Sequence, residues 1–235
     1  MSSLQSRITA LVPKMPGWCS PEKANDLALA VLKMKGLPSC EVGIFAGRSC
    51  IPIAMAHQEM DAGMVYAIDP WDKVAAAEGY EEVNANWWGS LDHESIYQQF
   101  LAYVQAGGLS KYVNVQRQRS DYAQVPDELG LAHLDGQHTD QTIKDVEKYA
   151  SRVVVGGFVF LDDIHWSGGG VERAMERLLK MGFKQLFVRD TGAMFQRESR
   201  PEVVPVKPSK KVSKKRGRPA GSKSKPKAVA EPVGV

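Results

Sequence analysis

Between residues 40 and 163 the chain alternates short apolar runs with stretches of helical spacing, and three of the runs end in acidic residues. The runs read as strands: Cys40 into a glycine turn at Gly47, Met64 to Asp69, Tyr112 to Val115, Leu129 to Asp135, and Val153 to Asp163. Gly156 and Gly157 precede or bend the fifth. Apolar residues at helical spacing place helices at 48–60, 92–106 and 140–150. Strands that alternate with helices pair in parallel through crossover connections. The order predicts an α/β, doubly wound, mostly parallel sheet.

The ends of the chain complete the layout. Ser20-Pro21 reads as an N-cap followed by proline in the first helical turn, and Leu27, Val31 and Met34 continue that helix to Gly36. Residues 1–37 are therefore a helical cap on a domain spanning 1–197. Val171, Ala174, Met175, Leu178 and Leu179 form one apolar stripe, closed by Gly182. Phe183 to Val188 and Ala193 to Gln196 lie too close for a crossover helix and read as an antiparallel C-terminal edge hairpin. Residues 73–90 are polar and aromatic with no clear period. From about 198 the chain is Pro, Lys, Ser and Val without a period. It is expected to be disordered, having little apolar surface to offset ordering entropy.

Composition matters mainly through position. The formal charge of +3 divides into +9 for residues 207–235 and −6 for everything before them. That asymmetry speaks to partners rather than to fold. The longest apolar run, Val153 to Leu161, is far short of the roughly 20 residues of a membrane helix, and Met1 to Trp18 has no secretory core. Cys19, Cys40 and Cys50 lack C-x-x-C spacing, which suits reduced, buried thiols. A cytoplasmic protein with no membrane partner is expected. A homo-oligomer is left open.

Two candidate sites lie at strand ends. The first is Glu41-x-Gly43-x-x-x-Gly47-Arg-Ser49 with Asp69 at the end of the next strand. Glycine permits close backbone approach, a helix N-terminus offers free N–H groups, and an acid can accept ribose hydroxyls. A glycine pair alone fits an ordinary turn, but with Glu41 and Asp69 it favours a nucleoside ligand. The spacing is not G-x-G-x-x-G, which argues against a nicotinamide dinucleotide. The second site gathers Asp135, Asp162 and Asp163, with His138 and His165 close in sequence. Clustered carboxylates repel unless a cation neutralises them, so Mg²⁺ or another divalent cation is expected. Loop-capping aspartates and ordinary polar histidines are the competing readings.

These stretches resemble class I S-adenosylmethionine-dependent methyltransferases. More narrowly they resemble the metal-dependent group of macrocin-type and aminocoumarin sugar O-methyltransferases and cephalosporin-hydroxylase-like proteins (methyltransferase family 24-like). The resemblance rests on Glu41–Ser49, Ala67–Trp71, Leu134–His138 and Gly156–His165. It implies a Rossmann-like fold and S-adenosylmethionine as cofactor. It implies that Glu41, Gly43, Gly47 and Ser49 line the methionine and ribose side, that Asp69 holds the ribose, and that Ser120 and Asp121 sit near the adenine. It implies that Asp135, Asp162 and Asp163 bind Mg²⁺, which grips a hydroxylated small-molecule acceptor such as a sugar. Acceptor choice falls to residues 72–100 and to the cap around Trp18, with Trp71, Tyr80, Trp87 and Trp88 available to stack on a ring. The Pro-Pro and Pro-Cys motifs of DNA-base methylating families are absent.

One departure stands out. The sugar methyltransferases carry a basic acid two residues after the first metal aspartate; here that position is Gln137, which cannot take a proton. Either His138 or His165 substitutes, or metal activation suffices, or the chain is a catalytically weak binding protein. His138 is the base preferred here. The tail adds a second theme. Lys214 to Lys223 resembles an AT-hook, with Arg216-Gly217-Arg218-Pro219 at its centre. Gly and Pro keep such a chain thin, and arginines suit the negative A·T-rich minor groove, so A·T-rich DNA or another polyanion is the expected partner. A generic solubilising tail is the competing reading.

Overall fold

The computed structural model describes residues 3–166 and 168–200. The AT-hook-like stretch, with Arg216, Gly217, Arg218 and Pro219, lies outside the described residues. Among those described, seven strands form one sheet in the order β3-β2-β1-β4-β5-β7-β6. They are β1 (Ser39–Val42), β2 (Val65–Ile68), β3 (Val113–Gln116), β4 (Leu129–Leu134), β5 (Val153–Leu161), β6 (Phe183–Arg189) and β7 (Gly192–Arg197). The first five pair in parallel, whereas β7 runs antiparallel to both β5 and β6. The expected doubly wound sheet with a C-terminal antiparallel pair is therefore present. β7 inserts inside β6, so β6 forms the edge.

Helices cover both faces. On one face α1 (Leu4–Leu11), α2 (Pro21–Lys33), α3 (Cys50–Met60) and α6 (His93–Ala106) enclose Ile8, Leu27, Ile51, Ile53, Phe100 and Phe160, all at most 1% exposed. On the other α7 (Asp140–Tyr149) and α8 (Gly170–Lys180) cover Leu129, Val159, Leu161 and Phe195. Each such side chain contributes about 1.5–3 kcal/mol through burial. The cysteines are all free and buried, and burial pushes each thiol well above its ordinary range. They are inert packing residues.

Some elements differ from their sequence reading for identifiable reasons. Residues 73–90 contain two short helices, α4 (Lys73–Ala77) and α5 (Glu82–Ser90). Neither has a fully buried residue, so no apolar period marks them. In α8 the buried stripe is Val171, Ala174 and Leu178, while Leu179 is 54% exposed. The Gly156-Gly157 pair shifts the β4–β5 register between Leu129 and Leu131. Gly156 takes φ +87°, a left-handed value that favours glycine, so the strand bends there without ending.

The parallel strands reverse order about β1, which has β2 on one side and β4 on the other. A crevice opens beyond the carboxyl ends of strands at such a point. The α4–α5 segment and the loop before α2 close over it.

Candidate functional site

A cavity of about 680 Å³ fills this crevice. That volume is within the range of small-molecule sites. Its walls carry Gly43, Ser49, Asp69, Ser120, Asp135, His138, Asp162 and Asp163, eight residues that the sequence singled out.

The glycine turn forms one wall. Gly43 has φ +86°, and a Cβ there would meet the Asp135 carbonyl oxygen at 2.0 Å, so only glycine lets the β1 and β4 loops meet. Asp69 is the clasp of this wall. Its carboxylate accepts the backbone N–H groups of Ile44 (2.9 Å), Phe45 (3.1 Å) and Trp71 (2.7 Å). Phe45 and Trp71 are both non-glycine residues with left-handed backbone, φ 51° and 42°. Such strain costs on the order of 1–3 kcal/mol each and persists only where neighbours hold it. Burial pushes the Asp69 carboxyl above its ordinary value, against the pull of these three bonds.

Three expected cofactor residues sit elsewhere than on the wall. Glu41 is wholly buried beneath the floor, where Ser49 donates its hydroxyl to it at 2.5 Å. Gly47 packs instead: a Cβ there would meet the Phe100 ring at 2.5 Å. Asp121 is exposed and accepts from Gln141 at 2.9 Å, outside the cavity wall, whereas its neighbour Ser120 is on the wall.

Asp145 beside Ser120 was not found from the sequence. It is 3% exposed and lines the cavity. Burial lifts its carboxyl from 3.8 to about 6, against hydrogen bonds from Ser120 and Gln141. In water this carboxyl ionises near 3.8, so between that pH and about 6 the fold keeps a proton that the unfolded chain has released. Stability contributed here falls as pH rises through that window, by on the order of 3 kcal/mol. Denaturant titrations from pH 4 to 7 should show this fall in the native chain relative to Asp145→Asn.

The floor is a buried charge chain. Glu41 and His133 face each other in the β1–β4 register, with the His133 Nδ1 3.5 Å from Glu41. His133 Nε2 reaches Asp162 Oδ2 at 3.1 Å. The Lys23 ammonium, on the first turn of α2, also bonds Asp162 Oδ2 and lies 3.9 Å from Asp135. Lys23, His133 and Asp162 are at most 4% exposed. Burial opposes the charge on His133, but Glu41 and Asp162 overcome it and raise the imidazole to about 9. Burial likewise opposes charge on Asp162, yet His133 and Lys23 hold it below the ordinary carboxylate range. Asp135 goes the other way, driven up by burial and by the Asp162 charge.

His138 occupies the opposite wall. Its Nδ1 lies 2.9 Å from the Tyr80 hydroxyl, and its Nε2 lies 2.7 Å from Asp163 Oδ2. The Nε2–Asp163 approach is out of line for a hydrogen bond, so Nε2 is buried and unpartnered. The ring stacks on Trp166, centroids 4.5 Å apart. Asp163 has φ 49°, and Trp166 N–H bonds back to its carbonyl at 2.8 Å. This tight turn folds Trp166 over His138 and directs His165 outward. His165 is exposed and absent from the cavity wall, so of the two candidate bases, His138 and His165, the structure brings only His138 to the cavity.

Gln137 has a structural task. Its amide donates to the carbonyls of Ala75 (3.1 Å) and Glu78 (2.6 Å), tying the end of α4 across the cavity. Glu78 also pairs with Arg119. Trp18, Phe45, Trp87 and Trp88 cluster at the mouth with ring centroids 4.7–6.3 Å apart. Trp71 is 3% exposed and mainly core.

Among the described residues two overlapping groups have metal-ligand geometry, His133/Asp135/Asp162 and Asp135/His138/Asp163, each with one ligand atom per residue within 4.8 Å of the others. Neither fits Mg²⁺ well. Histidine is a poor ligand for a hard cation. In the first group both Asp162 oxygens are already bonded: Oδ2 to Lys23 and His133, Oδ1 to the Asp163 N–H (3.3 Å) and the Thr191 hydroxyl (3.4 Å). Of the expected set Asp135, Asp162 and Asp163, it is Asp162 whose charge the protein itself meets, through Lys23 and His133.

Comparison with known proteins accords with this architecture. A family model described as a methyltransferase domain matches residues 40–164. No curated protein matches the chain. Among solved structures, the O-methyltransferase NovP is similar at TM-score 0.62 and 16% identity, over 77% of this chain and 81% of that one. The O-methyltransferase TomG from Streptomyces achromogenes, involved in tomaymycin synthesis and solved with SAM, is similar at TM-score 0.55 and 13% identity, over 83% and 89%. An O-methyltransferase from Bacillus cereus solved with SAH gives TM-score 0.54 and 13% identity, over 83% and 90%.

Proposed function

Because this chain belongs to the methyltransferase-domain family, we propose that it transfers a methyl group from S-adenosylmethionine to the oxygen of a small hydroxylated acceptor. The observation that carries this reading is the cavity, which has a glycine-turn wall on one side and the Tyr80–His138–Asp163 set on the other. Cofactor ligands of the structural neighbours supply the identity of the donor. Its sulfonium end would lie toward Gly43 and Ser49, and its adenosine toward Asp69, Ser120 and Asp145.

The chemistry then needs one proton removed. With the His138 Nδ1 proton donated to the Tyr80 oxygen, the Nε2 lone pair is free to accept the acceptor's hydroxyl proton. The oxygen attacks the sulfonium methyl in line, the S–CH₃ bond breaks, and neutral S-adenosylhomocysteine remains. Asp163 stabilises the imidazolium that forms. No step passes through a divalent ion. A sugar suits the aromatic mouth, where Trp87 and Trp88 offer stacking faces.

Calorimetry tests the reading directly. The purified chain is expected to bind S-adenosylmethionine one to one and to ignore NAD. Absence of S-adenosylmethionine binding would sink it. Separately from catalysis, Arg216-Gly217-Arg218-Pro219 of the tail is proposed to enter A·T-rich minor grooves. Truncation after Val206 should abolish binding to A·T-rich duplex, measured by fluorescence anisotropy; survival of binding would remove the tail as its determinant. Among the described residues no helix is long and apolar enough to cross a membrane.

A further inference from the structure

We infer that Lys23 is the resident cation of the acidic cluster, so that the cluster takes no divalent metal. The consequence for methyl transfer rests on the function proposed above; the claim about the metal does not.

Three observations converge. First, the Lys23 ammonium sits where an ion shared by Asp135 and Asp162 would sit, bonded to one and 3.9 Å from the other. Second, Asp162 has no unused oxygen, since four donors from Lys23, His133, Asp163 and Thr191 surround its carboxylate. Third, Lys23 is in a costly place for a lysine. It is 4% exposed, and it lies in the first turn of α2, where the helix dipole disfavours positive charge. Ser20 fixes that position by accepting the Lys23 N–H at 3.0 Å, with Pro21 starting the helix. A lysine held in so unfavourable a place is explained by the Asp162 carboxylate it pairs with and by Asp135 beside it.

A tethered ammonium and a bound ion do different chemistry. Mg²⁺ would draw an acceptor oxygen into its coordination shell and lower the hydroxyl's pKa. Lys23 has no open coordination position; it cancels charge only. Acceptor activation then falls to His138, and the acceptor need not present the paired oxygens that chelate a metal. A single hydroxyl suffices, which widens the substrate class from diols to simple alcohols and phenols.

Mn²⁺ alone is the probe. In titrations of the full chain followed by the EPR signal of free Mn²⁺, the native protein is expected to show no saturable site that Asp162→Asn abolishes. Thermal unfolding of the native chain is expected to be the same in EDTA and in millimolar Mn²⁺ or Mg²⁺, which tests the claim without any variant. Lys23→Met should open a single saturable site at least tenfold tighter than any in the native chain, lost again in Lys23→Met/Asp162→Asn. An Asp162-dependent site in the native protein, a saturable rise in its melting temperature with metal, or a folded Lys23→Met with no gained site would overturn the inference. S-adenosylmethionine calorimetry reads the functional proposal separately, because neither outcome there alters Mn²⁺ binding.

Discussion

Asp162→Ala is expected to lower the melting temperature by about 6–20 °C. The substitution removes the one anion that Lys23 and His133 share, and leaves two cations at 4% and 0% exposure with only the longer contacts to Asp135 (3.9 Å) and Glu41 (3.5 Å). Breaking a buried pair from one side costs about 3–5 kcal/mol, mostly the desolvation of the charge left behind. In a domain of this size each kcal/mol shifts the midpoint by about 2–4 °C. The sign against pH follows from the lowered Asp162 carboxyl. Its contribution is complete above the ordinary value of 3.8 and is lost as pH falls below it, so native and variant curves should converge only in acid. Circular-dichroism melts at pH 7 and pH 3 measure both. Adding Lys23→Met to Asp162→Ala removes one of the stranded cations and should recover part of the loss. Equal melting temperatures for native chain and Asp162→Ala would show that the buried chain is not a stabilising unit.

His138→Ala should lower kcat by about 10²–10⁴ while leaving the affinity for S-adenosylmethionine unchanged. His138 Nε2 is the unpartnered buried nitrogen on the acceptor wall, with Asp163 2.7 Å away to stabilise the protonated ring and Tyr80 2.9 Å away to set the tautomer. Tyr80→Phe should fall between the two, because it frees the tautomer without removing the base. The measurement is methyl transfer to an acceptor found by screening alcohols, phenols and sugars, alongside calorimetry with S-adenosylmethionine. Unchanged turnover would move the proton to another group.

Much of this site was legible because strand ends carry their chemistry in short, local signals. Gly43, Asp69, Asp135, Asp162 and Asp163 each follow an apolar run, and all five reach the cavity. What sequence order does not display is register and reach. His133 pairs with Glu41 only because β1 and β4 align Glu41-x-Gly43 with His133-x-Asp135. Lys23 is 139 positions from Asp162, and only its misplacement in a helix's first turn marks it. Gln137 looked like a lost base; its amide holds Ala75 and Glu78, a partnership across an aperiodic segment. Asp69 was read as a free ribose acceptor, and it turns out to hold three backbone N–H groups as well. His165 was overvalued because two positions in sequence cannot show which way a tight turn faces.

The cancelled charges of the floor bear on what happens after transfer. Glu41 and Asp162 are matched by His133 and Lys23, so these four groups together add no net attraction for a positively charged donor. On the proposed function, the donor loses its positive charge in the reaction while its shape barely changes. A neutral floor has little means of telling the spent molecule from the fresh one. On the proposed function, S-adenosylhomocysteine is therefore expected to compete with the donor at comparable affinity, which calorimetry with both ligands checks.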